Sequence, residues 1–198
     1  MASEHPVFAP QSGAAHSPLM LLVPGHDDAP ARRWLANWES RFPEAITVEL
    51  GLWDRPHRNT WVNRLNLAIH RAGRPVVIVA EGLATMAVAW WAEYEQPGAG
   101  GPVRGALLID PPDVDRPGGD ARLASFPSCP RAALPFAACV LASRSRGPLA
   151  LRTIRQLAAD WGGPFDTLAS AAVLAAPSLS PVQSLGQKVL SGWMSATA

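Results

Sequence analysis

Residues 75–91 read Pro-Val-Val-Ile-Val-Ala-Glu-Gly-Leu-Ala-Thr-Met-Ala-Val-Ala-Trp-Trp, and this stretch decides the fold. Val76 to Ala80 is a continuous apolar run rich in β-branched residues, the composition of a strand buried on both faces of a parallel sheet. From Leu83 onward the residues are mostly good helix formers and apolar nearly all round, which predicts a buried helix packed on that sheet. Between the two lies Ala80-Glu81-Gly82-Leu83-Ala84, small at both ends and at its centre. A sharp strand-to-helix turn tolerates no bulk on its flanks, and small–x–nucleophile–x–small is the form of a nucleophile elbow. Here the central position, where such an elbow carries its reactive side chain, is Gly82.

Outward from this unit the same alternation repeats. Upstream, Leu19–Val23 reads as a short buried strand, followed by a helix with Trp34, Leu35 and Trp38 on one side. Ile46–Leu50 is the next strand, and Trp61, Leu65 and Ile69 mark a second helix. Downstream come a strand at Val103–Ile109, a fifth at Ala137–Ala142, a helix over Leu149–Trp161, a short sixth strand at Phe165–Ala169 and a last helix between Pro181 and Met194. Residues 113–135 are rich in Pro and turn formers and read as a lid or a long connection. Residues 1–17 have no periodicity and read as a loose tail, which leaves 18–198 as one domain. Alternating strands and helices predict a single-domain α/β fold, a doubly wound parallel sheet of about six strands.

Composition narrows the function. The chain has 198 residues, 48% hydrophobic, with 17 basic and 16 acidic side chains and a net charge of +1. It carries no basic run, so nucleic acid is not an expected partner. No apolar run reaches the ~18 residues of a membrane span, and direct membrane insertion is not expected. The start of the chain lacks a basic head followed by an apolar core, and the expected location is the cytoplasm. Cys129 and Cys139 match no metal spacing, and Cys139 reads as a buried free thiol. No cofactor is expected.

Function in such a sheet gathers at the carboxyl ends of the strands. Those ends carry Gly25, His26, Asp27 and Asp28, then Glu81, Gly82 and Leu83, then Asp110, then Ser143–Arg146, with Ala172–Leu174 beyond the sixth strand. A metal site or a two-carboxylate hydrolase could be assembled from Glu81, Asp110 and His26. The alternative is that they are solvated loop residues, with Glu81 at a helix N-terminus where its charge suits the dipole.

A set of short motifs adds a resemblance. Val23-Pro24-Gly25, Trp34, Trp38-Glu39, Trp53-Asp54-Arg55-Pro56 with Trp61, Val76–Ala80, Ala106–Ile109 with Pro111-Pro112-Asp113-Val114, Ala142-Ser143-Arg144 and Trp161-Gly162 occur in this order. Together they resemble the small α/β-hydrolase-fold serine hydrolases of the retinoblastoma-binding-protein-9 / YdeN type, over roughly residues 19–193. The resemblance implies a sheet in the strand order 2-1-3-4-5-6 with a Ser–Asp–His triad at its upper edge. At the corresponding positions this chain has Gly82 for the serine, Arg146 for the acid and Val173 for the histidine.

From these substitutions the sequence predicts a pseudoenzyme, a catalytically inactive hydrolase fold that serves as a protein-binding accessory subunit or homo-oligomer. The pocket around Gly25–Asp28, Glu81–Leu83 and Asp110 would then be vestigial. Two other readings stand beside this one: a hydrolase with rebuilt carboxylate or metal chemistry at Glu81, Asp110 and His26, and a small-molecule sensor using the pocket. For the accessory reading the candidate interface residues are Trp90, Arg116, Arg122, Phe126, Arg131 and Trp193, since Trp and Arg often dominate binding energy.

Overall fold

Alternate residues of the central strands belong to different cores, and this places the helices. The computed structural model describes residues 17–98, 100–116, 120–168 and 185–195. The strands are β1 (Leu19–Val23), β2 (Ile46–Thr47), β3 (Val76–Glu81), β4 (Val103–Ile109), β5 (Ala137–Ser143) and β6 (Phe165–Leu168). They form one parallel sheet in the order β2-β1-β3-β4-β5-β6. This is the single-domain α/β architecture expected from the sequence.

In β3, Val76, Ile78 and Ala80 face one core while Val77 and Val79 face the other. The first core is covered by α2 (Arg58–Arg71), α3 (Ala84–Glu95) and α4 (Gly147–Asp160), which contribute Trp61, Trp91 and Ile154. The second is covered by α1 (Ala29–Arg41) and α5 (Leu185–Ser195), through Trp34, Trp38 and Leu190. With apolar cover on both faces, every residue of β3 up to Ala80 is buried, which is why that strand reads as unbroken hydrophobicity. Trp61, Trp91 and Trp161 are at most 1% exposed. Burying side chains of Phe size or larger contributes roughly 3 kcal/mol each.

The structure departs from expectation in a few places. The second strand pairs only at Ile46–Thr47, although Val48 still donates its N–H to the Leu22 carbonyl. The chain then turns out of the sheet through Gly51 and Leu52, both at positive φ, while Val48 and Leu50 stay buried. Within the 113–135 stretch, Asp120 caps a three-ten turn at Ala121–Ser125. Next to that turn Phe126 is fully buried against Trp61, so it belongs to the core and not to a docking surface. The expected tail lies outside the described residues except for Ser17. No helix among the described residues is long and apolar enough to cross a membrane.

Candidate active site

The corner between β3 and α3 is a tight one. Gly82 sits at φ +58° and donates its N–H to the Ile109 carbonyl at 2.8 Å, while its own carbonyl accepts from Thr85 Oγ1 at 2.7 Å. Glycine adopts that left-handed conformation without the steric cost a side chain would add. The β1–α1 loop passes so close that a Cβ on Gly25 would lie 2.3 Å from the Glu81 carbonyl oxygen and 2.7 Å from the Leu83 nitrogen. Only glycine fits there, and its N–H reaches the Glu81 carboxylate.

A cleft of about 730 Å³ opens above this corner, lined by His26, Glu81, Gly82, Leu83 and Asp110, with Arg116, Arg122 and Arg146 also in its walls. Glu81 is largely buried, and loss of hydration pushes its carboxyl up to about 7. The Gly25 N–H opposes that shift, the nearby charges of Asp110 and Asp28 add to it, and Arg146 lowers it slightly. A carboxyl group near neutrality can both take and return a proton at physiological pH.

Asp110 lies just past the end of the neighbouring strand β4 and is 7% exposed. Its Oδ1 accepts the Ser143 N–H at 2.7 Å, and its Oδ2 accepts the Ser143 hydroxyl at 2.5 Å. Both oxygens are thus engaged, and Asp110 clamps the end of β5 to the end of β4.

His26 meets the cleft from the β1–α1 loop. Its Nδ1 lies 2.7 Å from Nη1 of Arg122, and its Nε2 lies 3.4 Å from where a Cβ on Gly82 would be. Arg122 is in turn held by Asp120, at 2.8 Å from Nε and 2.6 Å from Nη2. Burial, and then the Arg122 charge, hold the His26 imidazole below its usual range, against the opposing pull of Asp28 and Asp120.

The other expected site residues scatter. Asp28 is the N-cap of α1, accepting from Ala31 N at 2.9 Å, and Asp27 pairs with Arg32 at 3.0 Å on the surface. Val173 lies outside the described residues. Of the interface candidates besides Phe126, Arg116 and Arg122 belong to the cleft, and Arg131 bridges Asp160 at 2.9 Å and Asp115 at 3.4 Å. Trp90 is half-buried, donates to the Phe126 carbonyl at 3.0 Å and lies under the Arg58 guanidinium at 4.3 Å. Trp193 folds back onto the sheet, its ring filling the space beside Gly105 in β4. Both indoles therefore have partners within the chain. Sequence reasoning missed the Ser143 clamp and the Arg122–His26 contact.

The profile of the family described as "Serine hydrolase" matches residues 20–183. The chain belongs to this family. Among solved structures, the YdeN-like hydrolase of Pectobacterium atrosepticum is 20% identical, with a TM-score of 0.66 over 89% of this chain and 91% of that one. The ydeN gene product of B. subtilis is 14% identical, with a TM-score of 0.67 over 91% and 100%. The Vlm2 thioesterase domain is 17% identical, with a TM-score of 0.58 over 88% and 91%. These likenesses carry the fold. No curated protein matches the sequence.

Membership of the serine hydrolase family overturns the expectation of a catalytically inactive accessory subunit and points to an enzyme. That expectation took the triad positions as decisive and kept the carboxylate chemistry of Glu81, Asp110 and His26 as an alternative, and family membership favours a hydrolase of that kind over an inactive subunit.

Proposed function

We propose that this serine hydrolase family member hydrolyses carbonyl esters or thioesters with water as the nucleophile and Glu81 as general base. In this reading Gly82, Arg146 and Val173 leave the triad positions without their usual chemistry, and the neighbouring carboxylate takes over. The observation that carries it is Glu81 itself: a carboxyl pushed up to about 7, at the carboxyl end of β3, lining a cleft of about 730 Å³.

The step balances simply. A water oxygen bonds to the carbonyl carbon, its proton passes to Glu81, and the carbonyl π pair moves onto the oxygen. Collapse of the adduct breaks the bond to the leaving alkoxide or thiolate, which takes the proton back from Glu81. Asp110 does not share this work, because Ser143 occupies both its oxygens. Its charge instead helps keep Glu81 protonatable near neutrality. The same engagement argues for the carboxylate version over the metal version, and among the described residues no group of three His, Cys, Asp or Glu could hold an ion. Two buried free thiols, Cys129 and Cys139, suit a reducing compartment, and we place the enzyme in the cytoplasm.

The test is steady-state hydrolysis of p-nitrophenyl butyrate and of a butyryl thioester. The expected kcat/KM rises with pH through about 7 and then levels, as Glu81 ionises. Glu81→Gln lowers it by ~100-fold or more. An unchanged rate in that variant, or stoichiometric labelling of a serine by a fluorophosphonate, overturns the reading.

A further inference from the structure

We propose that His26 acts as a hydrogen-bond donor to the substrate's carbonyl oxygen, fixed in that role by Arg122. This deepens the hydrolase reading above and rests on it for its substrate class, esters or thioesters. It also runs against the usual expectation for a histidine beside an elbow, which is that of a base.

The direction of one hydrogen bond decides it. A guanidinium has donors and no acceptor, so in the 2.7 Å contact with Arg122 Nη1 the His26 Nδ1 must supply its lone pair. The single proton of the neutral ring then sits on Nε2. Arg122 cannot easily turn away, because Asp120 holds Nε and Nη2 at 2.8 and 2.6 Å and also accepts the Arg122 backbone N–H at 2.9 Å. Burial and the Arg122 charge favour the neutral ring over the imidazolium, while Asp28 and Asp120 oppose them.

Among the described residues, the Nε2 edge of the ring borders the corner of the cleft at Gly82. The ring edge is 3.4 Å at Nε2 and 3.5 Å at Cδ2 from the point where residue 82 would carry a Cβ. Gly82 has none, so this corner of the cleft can receive an oxygen at a hydrogen-bonding distance of ~2.9 Å. Glu81, in the same cleft, is the adjacent residue and holds the base. As water adds, negative charge grows on the substrate oxygen, and a donor already standing at the edge of that corner stabilises it with little reorganisation. A neutral imidazole serving as electrophile has precedent in enzyme chemistry.

Long-range proton–nitrogen correlation spectra of histidine-labelled protein, from pH 5 to 9, test the tautomer without any substrate. The expected spectrum shows His26 neutral at pH 7 with its proton on Nε2. Arg122→Met is expected to raise the imidazole pKa and to mix the tautomers. A neutral Nδ1–H form in the unaltered protein, or an imidazolium at pH 7, overturns the proposal whatever the enzyme does. With p-nitrophenyl butyrate, His26→Ala should lower kcat ~100-fold with little change in KM. His26→Gln, which retains an N–H donor, should recover a substantial part of that loss. Equal losses in the two variants overturn the donor role. The expected tautomer with no hydrolysis in any variant would sink the hydrolase reading and leave the Arg122–His26 geometry standing.

Discussion

Glu81 and Asp110 follow each other across the sheet, one ending β3 and the other just past β4, and both line one cleft. Asp110 is well buried at 7% exposed, yet its two oxygens receive a backbone N–H and a hydroxyl from Ser143. Glu81 receives the Gly25 N–H, and its carboxyl is pushed up to about 7. The difference teaches that two carboxyls at one sheet edge part by what surrounds them: Ser143 engages both oxygens of Asp110, while loss of hydration raises the Glu81 carboxyl. A carboxylate so engaged holds the scaffold, and one that burial raises toward neutrality is the candidate to trade a proton.

The comparison can be broken at either residue. Asp110→Ala should have the largest effect on stability, about 4 kcal/mol, because it strands two buried donors and leaves alanine at a positive φ. Urea unfolding would measure it, and a loss below 1 kcal/mol would remove the brace. Glu81→Gln should act in the opposite direction and only with pH. The folded carboxyl titrates at about 7 against 4.5 unfolded, so between those values the folded chain keeps a proton that the unfolded chain has released. Stability therefore falls as pH rises across that window, by up to about 3 kcal/mol, and Glu81→Gln should abolish the fall. A parallel pH dependence in the variant would show that Glu81 is not the group responsible. Smallest is Ser143→Ala, which removes one donor from Asp110 and keeps the backbone N–H. Its expected cost is about 1–2 kcal/mol by the same unfolding measurement.

The fold was readable because sheets covered on both faces write themselves as apolar runs, and β1, β4 and the helix bearing Trp61, Leu65 and Ile69 lie where those runs and spacings put them. The short pairing of β2 was not, since Val48 and Leu50 are buried without being in the ladder and burial alone looks like strand. At the site, the strand-end rule brought His26, Glu81, Gly82, Leu83 and Asp110 to one cleft. It could not foresee that Ser143 would clamp Asp110 from 33 residues away or that Arg122 would reach His26 across 96. Such pairs depend on how the loops settle, and neither partner has a local pattern that announces the other. Phe126 misled for a related reason: an aromatic in an irregular stretch looks available until the core it plugs is seen.

The proton on His26 Nε2 also bears on descent. A serine installed at position 82 would find beside it a ring nitrogen already carrying hydrogen, with no lone pair to accept the hydroxyl proton. Serine chemistry with His26 as its base would first need the guanidinium at position 122 to go, releasing Nδ1 to take the proton. Any evolutionary path between a water-using and a serine-using form through this histidine therefore runs through Arg122 before it runs through Gly82, and selection acting on residue 82 alone meets a closed door.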